Sequence, residues 1–343
     1  MTTAVSASPA ASPFVLQVKN LKTQFDTSAG VVRAVDGISF SLKRGEVMGL
    51  VGESGSGKSI TGYSIMRAID KPGRITDGSI KYCGRDNKIV DLVSLSERQM
   101  RNLRGNRVAM ILQDPMMSLN PSLRIGTQLT ETYLAHKKVS KQEARERAIN
   151  VMQRVGIPDA ERRLSAYPHE FSGGMRQRIA IAIALINEPD VIIADEPTTA
   201  LDVTTQAQIL FEVQKLSREF GTAWIWITHD LTVVAALAQN VAVMYAGKIV
   251  EYGSVSSILD RPLHPYTKGL IASIPGHSST LANKRLYQIP GNAPSMLALP
   301  RGCPFRPRCE YADNTCLETP ADTRLSESRF YRCWHPVETG AAL

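Results

Sequence analysis

Long apolar runs are missing from this 343-residue sequence. The longest, IAIAIALI from Ile179 to Ile186, has eight residues, far fewer than the ~20 that cross a bilayer as a helix. The chain is therefore expected not to span a membrane by itself. The first thirteen residues, MTTAVSASPAASP, contain neither a basic stretch nor an apolar core, so they read as a flexible tail and not as an export signal. The expected compartment is then the cytoplasm, where thiols stay reduced and structural disulfides are rare. Cysteine is scarce too: of five, only Cys83 precedes residue 303. No CxxC knuckle of the kind favoured by structural zinc is present. With 43% hydrophobic and 21% charged residues, the composition excludes both a disordered chain and a membrane-embedded one.

What the sequence does have is a basic excess and an orderly pattern. A net charge of +8 suits a nucleic acid, the anionic face of a membrane, or simply a soluble surface. After the tail, FVLQVKNLKTQF and VVRAVDGISFSL alternate around a turn-like DTSAG and predict antiparallel strands. EVMGLVG is a short apolar strand that runs through glycines into a helix near Gly57, and RVAMILQ predicts another strand. A helical character follows from Pro115. Within it SKQEARERAINVMQRVG has Ser140 and Glu143 as a capping box, an apolar face of Ala144, Ala148, Val151, Met152 and Val155, and a stop at Gly156. The strands VIIAD and AWIWIT then alternate with helices, which predicts a mostly parallel sheet covered on both faces. Beyond Asp260 proline becomes frequent and regular pattern fades.

Three motifs carry chemistry. GESGSGKS, comprising Gly52, Glu53, Ser54, Gly55, Ser56, Gly57, Lys58 and Ser59, fits the phosphate-loop pattern between a strand and a helix. Its backbone N–H groups would wrap a phosphate, Lys58 would reach the β and γ phosphates, and Ser59 would ligate Mg²⁺. VIIADEP ends a strand in Asp195, placed to hold the magnesium, and Glu196, placed to orient the attacking water. EFSGGMRQR puts Ser172, Gly173 and Gly174 at the start of a buried helix.

This last segment resembles the signature of ATP-binding cassette (ABC) proteins, with Phe171 and Met175 where the family commonly has leucine and glutamine. The resemblance implies an α/β fold: an ABC-type P-loop ATPase core with an antiparallel β subdomain and an inserted helical subdomain, about residues 115–175. It also implies roles for residues matched one at a time. Gln113 corresponds to the glutamine that touches Mg²⁺, Ala200–Asp202 to the D-loop, and His229 to the switch histidine at the γ-phosphate. Phe25 corresponds to the aromatic that stacks on adenine. ATP and Mg²⁺ are the implied ligands, with each ATP held between the phosphate loop of one cassette and the signature of another.

RPLHPYTKGLIASIP and the terminal cysteines further resemble the C-terminal extension of oligopeptide and dipeptide importer ATPases. On this basis residues 1–13 are a tail, 14–260 the cassette, and 261–343 a small irregular cysteine-containing extension. The implied activity is ATP hydrolysis that powers peptide import from the cytoplasmic face of the inner membrane. Implied partners are a second cassette, identical or different, two transmembrane permease subunits and an extracytoplasmic binding protein. Relatives carrying nickel, opines or sugars, and cytosolic cassette ATPases acting on nucleic acid, are the alternatives. No basic stripe with interleaved aromatics is present, so no nucleic acid is expected. Cys303, Cys309, Cys316 and Cys333, with gaps of five, six and sixteen residues, could by spacing alone hold zinc or an iron–sulfur cluster. The resemblance favours a 4Fe–4S cluster, with zinc as the alternative.

Overall fold

Two strands open the chain in the computed structural model, which describes residues 14–114, 118–199, 201–274 and 287–337. The expected tail, residues 1–13, lies outside the described residues. β1 (Leu16–Thr27) and β2 (Gly30–Leu42) pair antiparallel from Leu16 opposite Leu42 to Thr27 opposite Gly30. Alternation drives the pairing: Leu16, Val18, Leu21 and Thr23 are buried on one face. β3 (Val47–Val51) leads through the glycine-rich loop to α1 (Lys58–Met66), after which β4 (Gly73–Cys83) and β5 (Ile89–Asp91) complete an antiparallel sheet in the order β2-β1-β4-β5.

The next elements alternate. α2 (Glu97–Leu103) precedes β6 (Val108–Ile111), and then come the inserted helices α3 (Ile125–Leu134), α4 (Lys141–Arg154) and α5 (Ala160–Arg163). Ser140 caps α4 by accepting the Glu143 N–H at 3.1 Å, and Ala144, Ala148, Val151 and Met152 turn inward as the spacing predicts. α6 (Gly173–Leu185), β7 (Val191–Asp195), α7 (Val203–Phe220), β8 (Ala223–Thr228) and α8 (Leu231–Leu237) return to the core. β9 (Asn240–Tyr245) and β10 (Lys248–Ser254) form the expected hairpin, its turn made by Ala246 at φ 46° and Gly247 at φ 81°.

β9, β3, β8, β7 and β6 lie side by side and parallel. Every residue of β3, β7 and β8 is buried. An apolar run without alternation demands cover on both faces of the sheet: helices cover one face, and the antiparallel sheet with α1 and α2 covers much of the other, where Leu16, Leu21 and Ile38 share a core with Met48, Leu50, Ile193 and Ile225. The parallel strands all point their C-terminal ends toward one edge, where open α/β sheets place their ligands. The α/β core, antiparallel β subdomain and helical insertion expected from sequence are all present.

Beyond α9 (Val255–Asp260) and α10 (Pro265–Ala272) the chain is mostly irregular, with 3₁₀ turns at Arg306–Arg308 and Asn314–Leu317. Among the described residues it also holds a hairpin that the fading sequence pattern did not announce. β11 (Thr323–Ser326) pairs with β12 (Arg329–Tyr331), and β12 pairs antiparallel with β10, so the extension adds two strands to the central sheet.

Candidate nucleotide site and cysteine cluster

The loop after β3 is built for glycine at its two tightest points. Gly52 has φ 155°, and a Cβ there would sit 2.1 Å from the Met244 carbonyl oxygen. Gly57, at φ 103°, would place one 2.1 Å from the Ala34 carbonyl oxygen. No other residue fits without moving backbone. Ser54 and Gly55 are exposed at the tip, and Ser56 and Lys58 are buried. Lys58 Nζ donates to the carbonyls of Gly52 at 2.8 Å and Glu53 at 2.9 Å. Burial lowers its pKa, while Glu196, Asp195 and Glu53 oppose that shift. The Ser56 hydroxyl is buried with no hydrogen-bond partner among the described residues, as expected of a group facing a ligand site.

Three further strand ends converge here. Asp195 closes β7, is 2% exposed, and accepts the Ser59 hydroxyl at 3.0 Å. Burial raises its pKa against the lowering effect of that bond. The two oxygens form the kind of hard donor pair that magnesium takes. Glu196 has φ 45°, a conformation costing a non-glycine residue about 1–2 kcal/mol. Its N–H donates to the Ile227 carbonyl at 2.9 Å. Its carboxylate accepts from Gln113 Nε2 at 3.2 Å and Thr199 Oγ1 at 3.1 Å, and meets His229 Nδ1 at 3.2 Å. Gln113, Glu196 and His229, from the ends of β6, β7 and β8, thus form one polar chain around a carboxylate able to orient water.

The signature residues stand apart. Ser172 caps α6, accepting the Met175 N–H at 3.4 Å, and is exposed with Gly173. Gly174 brings α6 against α7: a Cβ on it would lie 2.5 Å from Thr205 Cγ2. Asp202 caps α7 through the Thr205 N–H at 2.9 Å, and hydrogen bonds from Thr204 and Thr205 hold its carboxyl well below the usual range. Ala200 lies outside the described residues. No hydrogen bond or ion pair joins Ser172 or Asp202 to the phosphate loop among the described residues. Phe25 lies in β1 opposite Val32 and Gly73, half-buried, with its ring over Gly73.

Of the four terminal cysteines, Cys303 and Cys316 are buried and Cys309 and Cys333 partly so. Burial, helped by the three other thiols, pushes the Cys333 thiol up to about 12, so the four are electrostatic neighbours. Cys303 and Cys309 are also raised, chiefly by burial. No three of these sulfurs lie within 4.8 Å of one another; among the described residues the group that does is Asp313, Cys316 and His335. Cys83 is remote, its thiol 3.7 Å from the Gly84 carbonyl. Sequence reasoning missed two residues that touch the phosphate loop. Tyr266 accepts the Glu53 N–H at 2.8 Å, and Arg308 pairs with the Glu53 carboxylate at 2.8 Å. Nothing in local pattern signals either, since Glu53 and Arg308 lie 255 positions apart.

The sequence pattern described as "ABC transporter" matches residues 35–199, and that described as "Oligopeptide/dipeptide transporter, C-terminal region" matches residues 250–316. The chain is 47% identical to the oligopeptide transport ATP-binding protein OppD of Escherichia coli K12, over 94% of each chain. It is 49% identical to the dipeptide transport ATP-binding protein DppD of Bacillus subtilis 168, over 93% of this chain and 94% of that one. Among solved structures it resembles the dimeric post-hydrolysis state of the ATP-binding cassette MJ0796 bound to ADP and Pi. There the TM-score is 0.62 and the identity 26%, covering 70% of this chain and 98% of the other.

Proposed function

Because the chain belongs to the ABC transporter family, in the branch of the oligopeptide and dipeptide transport ATP-binding proteins, we propose that it hydrolyses ATP to power peptide import. The observation that carries this is the convergence of Lys58, the Ser59–Asp195 pair and the Gln113–Glu196–His229 chain at the ends of four parallel strands. In this reading the loop N–H groups and Lys58 hold the phosphates, and Ser59, Asp195 and Gln113 hold Mg²⁺. Glu196 orients the water that attacks the γ-phosphate, and His229 steadies both.

Ser172, Gly173 and Asp202 face solvent at two helix N-termini, with Gly174 between those helices, and among the described residues none of their hydrogen bonds reaches the phosphate loop. Such termini favour phosphate, so these residues serve the nucleotide of a second cassette, and the complete site needs two. No described helix is long and apolar enough to cross a membrane; the path for peptide is supplied by two permease subunits, fed by an external binding protein. An open groove of ≈ 360 Å³ between β6 and α6, lined by Met110, Leu112, Leu119 and Ile183, offers an apolar seat beside Gln113 for such a subunit. The +8 charge suits the anionic cytoplasmic face of the inner membrane. The cassette occupies residues 14–260, with the helical subdomain at about 115–175, and the extension residues 261–343.

Cys303, Cys309, Cys316 and Cys333 hold a 4Fe–4S cluster in the same reading. A zinc tetrahedron with Zn–S of ~2.3 Å would bring its sulfurs within ~4 Å of each other, closer than any three of these thiols come. Burial favours the protonated form of the Cys303, Cys309 and Cys333 thiols, so ionising those three needs metal charge. The cluster supplies a covalent staple for a segment with little core of its own.

Co-expression with the adjoining genes tests the function. Two integral membrane proteins and a second cassette should co-purify, and Lys58→Ala should abolish ATP hydrolysis by the assembly. Unaltered hydrolysis in that variant, or a soluble homodimer stimulated by nucleic acid, overturns the reading. Iron, sulfide and zinc assays on anaerobically purified protein test the cluster, and stoichiometric zinc without iron refutes it.

A further inference from the structure

The two flanks of the phosphate loop are held from different parts of the chain. The inner flank belongs to the cassette: the Gly247 N–H donates to the Ser56 carbonyl at 2.9 Å, and Asp195 takes the Ser59 hydroxyl. The outer arm begins at Glu53, and the anchors of that residue's N–H and carboxylate come from beyond residue 260. The Tyr266 hydroxyl accepts the N–H. Arg308 grips the carboxylate with a two-pronged fork, Nη1 to Oε2 at 2.8 Å and Nη2 to Oε1 at 3.0 Å. Bidentate guanidinium–carboxylate pairs fix geometry as well as charge.

Arg308 is itself immobilised. It is 8% exposed, its Nε donates to the Pro290 carbonyl at 2.9 Å, and Nη1 also reaches the Tyr245 hydroxyl at 3.3 Å. Its guanidinium lies 5.9 Å from the ring centre of Tyr245 and 5.8 Å from that of Phe305. Those rings meet edge-on at 5.3 Å, and Tyr266 packs on both at 4.6 and 5.4 Å. One aromatic knot therefore joins β9 of the cassette, α10, and the segment between Cys303 and Cys309. Phe305 and Arg308 both lie inside that segment, between the two cysteines.

Glu53 is also a liability: an unpaired carboxylate on the arm of a loop that takes a triphosphate repels its ligand, and the repulsion grows where water is thin. We propose that Arg308 is a positioning residue for the phosphate loop, clamping and neutralising Glu53 so that the loop accepts a triphosphate only when the cysteine-bearing segment is folded against it. This rests on the reading of residues 52–59 as the ATP site. It places one determinant of nucleotide affinity outside the cassette, in the segment that carries the cysteines.

A merely structural Arg308 would fasten the extension to the cassette and leave the affinity of the folded chain alone. The test is an equilibrium titration of the full-length chain with Mg-ATP, alongside thermal unfolding. Arg308→Gln should raise the Kd by ~10- to 100-fold, the scale of a ligand cradle displaced by about an ångström. Adding Glu53→Gln should recover part of the loss, because it removes the unneutralised charge; no fastening role predicts that recovery. Wild-type affinity in Arg308→Gln, with Lys58→Ala unable to bind, overturns the proposal and leaves the ATP site standing. Normal binding by Lys58→Ala defeats the site reading itself. If Arg308→Gln does not unfold cooperatively, Arg308→Lys takes its place, keeping the charge and losing the fork. A several-fold weaker Kd in that variant supports the proposal and an unchanged one overturns it.

Discussion

The cassette and the segment beyond residue 260 both hold irregular loops in fixed positions, and they do so with different materials. Behind the phosphate loop stand β3, β7 and β8, buried along their whole length, and each of their residues is backed by neighbours on both faces. The extension has 3₁₀ turns, a helix of eight residues, and a hairpin whose first strand is wholly exposed. Its order leans on a small apolar cluster with Tyr266, Ile271 and Phe305 and on a few buried polar groups at its seam with the cassette: Glu251 of β10 at 0%, His264 at 1% and Arg308 at 8% exposure. Distributed packing tolerates small losses, whereas concentrated anchoring does not. Where stability is spread out, function can be concentrated at one side chain without endangering the fold.

The sharpest test of that contrast is Glu196→Gln. The amide can keep hydrogen bonds to Gln113 and Thr199 but loses the charge that polarises water. ATP turnover should fall about 10²- to 10⁴-fold, with Mg-ATP binding and the unfolding midpoint unchanged. Unchanged phosphate release would remove Glu196 from the chemistry. Next in size is Glu251→Ala in the extension's anchor. Glu251 accepts the Leu263 N–H and the His264 N–H, each at 2.9 Å, and faces Arg329 at 3.8 Å. Its removal leaves one buried and one partly buried donor unpaired, for a loss of about 3 kcal/mol in chemical denaturation. Ile193→Val, a single-methylene cut in the middle of β7, should cost only about 1 kcal/mol. Equal losses would erase the distinction between the two regions.

The same contrast explains what could be read in advance. The apolar runs VMGLV, VIIAD and AWIWIT declared buried parallel strands because nothing polar interrupts them. The phosphate loop was recognisable because its glycines, Lys58 and Ser59 stand at a fixed short spacing between a strand and a helix. Ser59 and Asp195 lie far apart in sequence, yet Asp195 ends β7 and Ser59 stands in the first turn of α1, just after β3, so topology brings them together. The extension has no such rule. β11 and β12 are four and three residues long, and β11 has no inward face to set an alternation. The fork from Arg308 to Glu53 and the bond from Tyr266 to the loop depend on how an irregular segment folds back over a finished core. Short-range pattern carries no information about such contacts.

His264 gives an effect that appears only as the pH changes, and one with a sign to check. It caps α10, accepting the Tyr266 N–H on Nδ1 at 3.0 Å, so the ring must stay neutral there. Burial lowers its pKa to about 3. Between the unfolded value of ~6.5 and about 3, the unfolded chain carries a proton that the folded chain refuses. The stability His264 contributes is therefore full above pH ~6.5 and is lost as the pH falls, by about 2 kcal/mol from pH 7 to pH 5. Its acidic neighbour opposes this trend: burial raises the Glu251 carboxyl, which favours the folded state as acid is added. The difference between two chains isolates the histidine. His264→Asn keeps an oxygen acceptor at the cap and has nothing to titrate, so its unfolding free energy should fall less between pH 7 and 5 than that of the parent, by about the same 2 kcal/mol. Parallel curves over that interval would mean that the extension is not anchored by a neutral buried imidazole, and that its order is spread as widely as the cassette's.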